Sequence, residues 1–175
     1  MNAVNVKIKR LHPDAVIPQY ATPGAAAFDL VAVEDVIIAP GETKKVPLGL
    51  AFEIPEGYVM IVAMRSGVAL NTKLRQPNGI GVIDSDYRGE VAMMFDNIAE
   101  SVGWDDTYPW RINGAVDLTY EYKGVPDNSY LIRNGDRVAQ AFILPIPRVN
   151  LVETDEELSE TKRGTGGFGH TGVSA

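Results

Sequence analysis

The sequence predicts an all-β protein, a sandwich or barrel of short strands with little helix. In several segments apolar residues alternate with polar ones, and this two-residue period is typical of half-buried strands. Pro-Gly and Asn-Gly turn signals separate these segments, and the 175 residues include 17 glycines and 11 prolines. Only residues 66–74 and 153–160 have a helical pattern. We therefore expect at most two short helices in a fold built from strands.

The clearest alternation runs from Val46 to Ile54, where every second residue is apolar. The Pro55-Glu56-Gly57 tripeptide follows it and predicts a turn. Shorter segments of strand length, with alternating or continuous apolar residues, occur on both sides of this one. These further strands are predicted at residues 4–8, 59–64, 91–95 and 140–145.

Composition excludes several classes of protein. The formal net charge of −7 argues against nucleic-acid and membrane-surface binding, since both require a basic face. The absence of cysteine excludes disulfides and thiolate metal sites and fits a reducing compartment. No apolar run is long enough to span a bilayer, and the N-terminus lacks the apolar core of a signal peptide. We expect a soluble cytoplasmic protein with one domain over residues 1–175.

Residues 99–130 differ in composition from the rest of the chain. They contain both tryptophans, four of the seven tyrosines, and six acidic residues against two basic ones. Asn113-Gly114 between two short strand-like runs predicts a β-hairpin with a type I′ turn, in which both central residues have positive φ. The segment is then either an extra surface hairpin or a docking site for a partner protein, since exposed aromatic residues often anchor interfaces.

Three glycine-flanked segments combine groups that can bind anions or do acid–base chemistry. The first, residues 65–67, joins a cation, a hydroxyl and an exposed amide, which suits a phosphate. Alternatively Ser66 only caps a short helix. The second, residues 79–89, contains Asp84 and Asp86, of which one is a candidate general base; the alternative is a plain hairpin turn.

The third segment is the tail, residues 163–172, which has an arginine, free amides, two threonine hydroxyls and one phenylalanine among five glycines. Glycine allows the backbone to approach an anion closely. The alternative is a mobile terminus with no ligand, which glycine-rich ends often are. The two histidines, His12 and His170, are too few and too far apart for a histidine-rich metal site.

Taken together and in order, these segments resemble the five motifs of the trimeric dUTPase family (deoxyuridine triphosphate nucleotidohydrolases). The five matching segments are residues 23–30, 65–70, 81–90, 135–140 and 163–172. The resemblance covers the chain apart from residues 99–130, which would be an insertion between the third and fourth motifs. It implies a distorted jelly-roll subunit, a homotrimer with active sites between subunits, and hydrolysis of dUTP to dUMP and pyrophosphate with Mg²⁺.

The same resemblance assigns roles to residues of this chain. Asp84 would be the general base that deprotonates the attacking water, and Tyr87 would pack against the deoxyribose and exclude a 2′-hydroxyl. Asp29 would act at a distance, through metal-bound water or a pair with Arg137, so that no direct protein ligand to Mg²⁺ is expected. The uracil contacts would come from Asn78, Gly81, Val82 and Ile83 and from stacking of Phe168. The phosphate contacts would come from Arg65, Ser66, Gly67, Gln140, Arg163, Gly169, His170 and Thr171.

Three positions depart from the family pattern. Met64 replaces the more frequent proline, Phe28 replaces the usual tyrosine, and His170 stands where serine is typical. Two alternatives remain beside dUTP hydrolysis. One is a dCTP deaminase-like enzyme, although the strand at residues 90–95 offers no central glutamate for that chemistry. The other is a dUTPase whose residues 99–130 also bind a regulatory protein.

Overall fold

The computed structural model describes residues 3–101, 103, 108–119 and 124–172. Within them the chain forms strands joined by short turns, with one helix. The elements are β1 Lys7–Arg10, β2 Phe28–Val31, β3 Val36–Ile38, β4 Thr43–Glu53, β5 Tyr58–Met64, α1 Ser66–Asn71, β6 Leu74–Arg75, β7 Gly81–Ile83, β8 Val91–Asn97, β9 Trp110–Arg111, β10 Tyr130–Ile132 and β11 Arg137–Pro145. The all-β prediction is confirmed.

The strands form three sheets around one apolar core. Their orders are β1-β4-β8-β6, β2-β11-β5-β7 and β3-β10-β9. Most neighbouring strands run antiparallel, and the alternating residues of β4 and β8 point Leu48, Leu50 and Phe95 inward with no exposed surface. Leu30 and Met60 from the second sheet are equally buried and belong to the same core. In β4 and β8 the hydrophobic period read from the sequence is thus the pattern of burial. The strand predicted at residues 4–8 lies instead at Lys7–Arg10 and leaves Val4 exposed.

The longest strand, β4, contains a bulge that the alternation alone does not predict. Pairing with β8 shifts between Pro47 and Leu50, and Gly49 between them has a φ of 64°. A methyl group added at Gly49 would lie 2.7 Å from the His12 Cβ, so glycine is required by both backbone conformation and space. The Gly49 amide, left without a ladder partner, donates to Glu90 Oε1 at 2.9 Å.

Both helix predictions need correction. The first helix ends at Asn71 rather than at residue 74, because Thr72 is extended, its hydroxyl donates back to the Val68 carbonyl, and the chain continues into β6. Residues 153–160 contain no helix. Leu158, the apolar residue near their middle, is 82% exposed, so no packed face stabilises a helix there.

The predicted hairpin at Asn113-Gly114 forms, but with a different turn. The Arg111 amide donates to the Ala115 carbonyl at 2.7 Å and the Gly114 amide to the Arg111 carbonyl at 2.9 Å. Gly114 has a φ of 84°, whereas Asn113 is not among the described residues with positive φ. The turn is therefore a three-residue loop with a glycine bulge, not type I′. Its return strand is a single bridge at Val116, and the predicted residues 120–122 lie outside the described residues.

No helix in the described part of the chain is long and apolar enough to cross a membrane.

Candidate functional site

A carboxylate with two guanidinium groups lies where β5 ends and α1 begins. Arg65, the residue between these elements, places its Nε 3.0 Å from Asp29 Oδ1. Arg137, the first residue of β11, places a terminal nitrogen 3.0 Å from Asp29 Oδ2. Arg65 also donates to the Arg137 carbonyl at 3.3 Å. Asp29 thus holds two cations side by side, an arrangement suited to an anion with several charges.

Strand pairing explains why these residues meet. Asp29 on β2 lies opposite Gln140 on β11, and Gln140 lies opposite Ala63 on β5. Directly paired residues of neighbouring strands project from the same face of a sheet, so Asp29 and Gln140 share one face. A register shift between Arg137 and Ala139 interrupts the β2–β11 pairing at the place where Arg137 turns toward Asp29.

Ser66 does not cap α1. The N-cap position belongs to Arg65, which makes no side-chain capping hydrogen bond, and Ser66 is the first helical residue. The capping interpretation is therefore wrong. Gly67 has open space where a Cβ would be, so the start of the helix is accessible to a ligand. A cavity of about 290 Å³ opens here, lined by Arg65, Gly67, Val68, Asn71, Ile112, Asn113, Gly135, Asp136 and Arg137.

Asp84 lies in a tight turn after β7. Ile83 is paired with Met60 on β5, and the Tyr87 amide then donates to the Asp84 carbonyl at 3.2 Å. A turn is thus present, and it separates Asp84 from Asp86, but the predicted hairpin is wrong because the flanking strands β7 and β8 belong to different sheets. The Asp84 side chain is exposed beside a cavity of about 420 Å³, whose other walls include Tyr58, Ile146 and Arg148.

Tyr87 is fixed by two residues that the sequence reasoning missed. Its hydroxyl donates to the Glu90 carbonyl at 3.0 Å, while the Glu90 side chain accepts the amide of the β4 bulge. A methyl group at Gly89 would lie 2.4 Å from the Tyr87 hydroxyl, so the absence of a side chain there makes room for the ring. The Gly89-Glu90 pair directly after Tyr87-Arg88 was the available signal in the sequence.

Asn78 and β7 form an exposed edge of the second sheet. Residues 76–79 make a turn, in which the Gly79 amide donates to the Gln76 carbonyl at 3.1 Å. The Gln76 side chain accepts from the Met64 amide and donates to the Val62 carbonyl, at 3.0 and 3.2 Å, and so ties this turn to β5. No motif in the sequence indicates this role of Gln76. Among the described strands, β7 has a neighbour on one side only.

The tail residues are not brought to the rest of the site within this chain. Arg163 donates through its Nε to the Gly166 carbonyl at 2.8 Å, and the His170 amide donates to the Gly167 carbonyl at 3.1 Å. Phe168 is fully exposed, and Gly169, His170 and Thr171 are exposed with it. Their placement at a ligand therefore stays a prediction.

Asp84 and Arg65 are also separated within one chain, because they lie toward opposite ends of β5. Asp84 comes after the residue paired with Met60, while Arg65 follows Met64. At a rise of about 3.3 Å per residue, Met60 and Arg65 are about 16 Å apart along the strand. The chain therefore presents two separate candidate half-sites, one with the exposed carboxylate and one with the paired cations.

The donors of the second half-site suit phosphate rather than a bare metal ion. Both oxygens of Asp29 are occupied by guanidinium groups, and its side chain is only 20% exposed. Within the described residues, no three His, Cys, Asp or Glu side chains are grouped closely enough to hold a metal. Because guanidinium groups occupy both oxygens of Asp29, this cluster would suit Mg²⁺ that is chelated by phosphate oxygens, which needs few direct protein ligands.

The partner-protein hypothesis for residues 99–130 stays a prediction. Trp110 is 36% exposed and belongs to β9, which pairs with β10. Trp104, the other tryptophan, lies outside the described residues.

Comparison with known proteins agrees with this architecture. The family model for dUTPase matches residues 14–102. A deoxyuridine 5′-triphosphate nucleotidohydrolase of Nautilia profundicola is 40% identical, over 97% of this chain and 99% of its own. The enzyme of that name from Helicobacter pylori strain J99 is 35% identical, over 98% and 99%.

Solved structures show the same likeness. The dUTPase of Staphylococcus bacteriophage 80alpha, solved with dUPNHPP, has a TM-score of 0.90 and 30% identity over 98% of this chain and all of its own. A dUTPase mutant from phage phi11 of S. aureus, described with a structural Mg(II) ion, has a TM-score of 0.81 and 30% identity over 87% and 98%. Fold and candidate half-sites thus define an all-β protein of the distorted jelly-roll type with two arginines paired on one carboxylate. The chain belongs to the dUTPase family.

Proposed function

We propose that this dUTPase family member hydrolyses dUTP to dUMP and pyrophosphate, with Asp84 as the general base. The observation that supports this best is the position of Asp84, an exposed carboxylate directly after the edge strand β7. Asp84 accepts a proton from water, the water oxygen bonds to the α-phosphorus, and the bond to the bridging oxygen breaks to release pyrophosphate. Family membership and the names of the curated relatives support dUTP as the substrate.

The unpaired side of β7 suits recognition of the uracil edge. Gly81, Val82 and Ile83 pair with β5 on one side, so their remaining backbone groups face outward, and Val82 is 56% exposed. Uracil presents both hydrogen-bond donors and acceptors along one edge, as an unpaired strand does. Asn78, in the turn that precedes the strand, adds a side-chain amide.

Tyr87 accounts for selection of the deoxyribose. Its hydroxyl is anchored on the Glu90 carbonyl and its ring lies over Gly89, so the ring cannot move aside without loss of that hydrogen bond. A sugar packed on the ring then has no room for a 2′-hydroxyl. Discrimination against UTP follows from this steric fit.

The triphosphate is held by the paired cations. Arg65 and Arg137 lie next to each other on Asp29, with Ser66 and Gly67 at the open start of α1 and Gln140 on the same sheet face as Asp29. Cations and amides fixed before substrate arrives neutralise the charge on the phosphates without reorganisation, which is the main requirement for phosphoryl transfer. Mg²⁺ carried by the phosphates would supply further charge neutralisation.

A complete site requires more than one copy of the chain. The separation of about 16 Å along β5 places the Asp84 half-site away from the Arg65 half-site. The Asp84 half-site of one subunit would meet the Arg65 half-site of a neighbour in a homotrimer, giving three sites. The tail then closes over the nucleotide: Arg163, Gly169, His170 and Thr171 contact the phosphates and Phe168 stacks on uracil.

A nucleotide panel tests this function. With Mg²⁺, the wild-type protein should release pyrophosphate from dUTP far faster than from dTTP, dCTP or UTP, and its mass in solution should be that of a trimer. Comparable turnover of all four nucleotides contradicts the proposal. Ammonia release from dCTP would instead establish the deaminase alternative.

Asp84→Asn tests the assigned base. The variant keeps the shape of the turn but cannot accept the proton, so kcat should fall at least about a thousandfold while dUTP affinity changes little. Asp86→Asn is the matched control, because it makes the same change two residues away and should retain activity. A near-normal kcat for Asp84→Asn would show that another group is the base.

A further inference from the structure

The hairpin around residues 110–116 forms one wall of the cavity beside Arg65 and Arg137. Ile112 and Asn113, at its turn, line that cavity together with Gly67 and Arg137. The Asn113 side-chain oxygen accepts the Ala115 amide at 3.0 Å and so braces the turn from within. A segment outside the five motifs thus reaches the proposed phosphate site.

Arg111 attaches this hairpin to the turn that precedes Arg137. Its NH2 group lies 2.9 and 3.2 Å from the two oxygens of Asp136, and its NH1 group lies 3.4 Å from Asp117 Oδ2. The Arg111 Nε is buried and has no hydrogen-bond partner within the described residues. The side chain as a whole is 29% exposed, so the two carboxylates hold a partly buried guanidinium.

A buried carboxylate holds Arg111 from the other side. The Asp117 side chain is 3% exposed and accepts from Arg133 Nε at 3.1 Å, from the Thr119 hydroxyl at 2.7 Å and from the Thr119 amide at 3.0 Å. These donors, with the Arg133 hydrogen bond as the largest cause, hold the pKa of Asp117 far below its usual range. Asp117 is thus ionised in the folded protein, and its carboxylate contacts both Arg111 and Arg133.

Asp136 connects Arg111 to the turn that leads into Arg137. It accepts the Arg133 amide at 2.9 Å through its side chain, while its own amide donates to the Arg133 carbonyl at 3.0 Å. The Gly135 amide and the Asp136 carbonyl both bond to Ala32, so the turn is tied to the end of β2 as well. The next residue, Arg137, begins β11 and reaches back to Asp29.

We infer that Arg111 is a positioning residue for phosphate binding: by holding Asp136, it fixes Arg137 and the hairpin wall around the triphosphate. This inference depends on the proposed function. It assigns to residues 109–119 a role in substrate affinity that is separate from any partner protein. The role concerns the phosphate half-site alone, since Arg111 makes no described contact with residues 76–90.

The test compares Arg111→Ala and Arg111→Lys with the wild type in phosphate and nucleoside binding. For Arg111→Ala we expect the dUTP KM and the pyrophosphate dissociation constant, measured by calorimetry with Mg²⁺, to rise about tenfold. The kcat should stay within about threefold, and competitive inhibition by deoxyuridine should be unchanged. Arg111→Lys keeps the charge, but its ammonium group contacts a single carboxylate oxygen. Its pyrophosphate affinity should therefore lie between those of the wild type and Arg111→Ala.

Lys7→Ala is the control, since it removes an ion pair of 2.8 Å to Glu53, neither residue lines the cavity, and both affinities should be unchanged. Unchanged pyrophosphate affinity in Arg111→Ala overturns the inference, and so does an equal loss of pyrophosphate and deoxyuridine binding, which indicates a general loosening. If Arg111→Ala does not fold, Arg111→Lys decides by the same two measurements. Failure of the wild type to hydrolyse dUTP would overturn the proposed function, whereas the pyrophosphate measurement tests the positioning role without turnover.

Discussion

The two parts of the molecule proposed to hold phosphate differ in how they are organised. In the body, Arg65 and Arg137 are both paired with Asp29, and the turn before Arg137 is fixed by Arg111. In the tail, residues 163–172 make turn hydrogen bonds among themselves, and Phe168 is fully exposed. The body cluster is in place before substrate arrives, whereas the tail must lose conformational entropy when it closes.

The largest expected effect comes from removal of the tail. A chain that ends at Lys162 should lose at least a hundredfold in kcat/KM for dUTP, about 2.7 kcal/mol, because Arg163 and Phe168 are lost together. The melting temperature should stay within the error of the wild type, since the tail contributes no side chain to the apolar core. Steady-state kinetics and calorimetry measure the two quantities. If the truncated chain lost stability but kept its kcat/KM, the tail would contribute to the fold and not to substrate binding.

A smaller effect, on stability, is expected in the body. Asp117→Asn should reduce the free energy of unfolding by about 2 kcal/mol at pH 7, since an amide cannot accept from Arg133 and Arg111 as the carboxylate does. The carboxylate has a lowered pKa in the folded state, so its stabilisation is complete above its ordinary value near 3.9 and is lost as the pH falls toward the folded-state pKa. The difference between variant and wild type should therefore persist down to about pH 4.5 and shrink below about pH 4.

Urea unfolding followed by circular dichroism from pH 7 to pH 3 provides this measurement. Glu53→Gln is the control, because Glu53 is an exposed carboxylate whose hydrogen bond from Lys7 lowers its pKa. An exposed pair contributes little, so that variant should unfold like the wild type at all pH values. A stability difference for Asp117→Asn that is constant with pH would show that the charge of Asp117 is not what stabilises the fold.

The smallest expected effect distinguishes two glycines of the tail. Gly169 has a φ of 74°, whereas Gly167 has an ordinary φ and open space around it. If the tail keeps its turns when it closes, Gly169→Ala should raise the dUTP KM about fivefold, corresponding to about 1 kcal/mol of strain. Gly167→Ala should leave KM unchanged or slightly lower, because alanine reduces the freedom of the open tail. Equal KM values for the two variants would show that the closed tail does not retain these turns.

The strands were predictable because the two-residue alternation of apolar and polar residues determines which side chains of a strand are buried. From Val46 to Ile54 every second residue points into the core, and β4 covers all but the last of these residues. Local periodicity did not define the start of β4, since the polar residues Thr43 and Lys44 join the strand only through pairing with β8. The same limit explains the incorrect helix at residues 153–160, where the pattern was present but no surface lies against it.

The parts of the site that were missed depend on contacts between distant segments. Arg111 and Asp136 are 25 positions apart, and no sequence spacing indicates that the hairpin lies against the turn before β11. The Asn113-Gly114 turn shows a finer limit: the dipeptide predicted a hairpin correctly, but the contacts of the loop selected its type. Asp29 with Arg137 was predicted only through the family resemblance, and pairing of β2 with β11 is the physical reason for it.

The shortness of β7 has a consequence for solubility. An exposed sheet edge invites another chain to add a strand, and proteins prevent this with very short edge strands. With three residues, β7 provides too few backbone pairs to hold an added strand, yet enough for the hydrogen bonds that a pyrimidine can make. Substitutions that extend β7 back through residues 76–80 should therefore increase self-association at high protein concentration, because the longer edge would pair with a strand of another molecule.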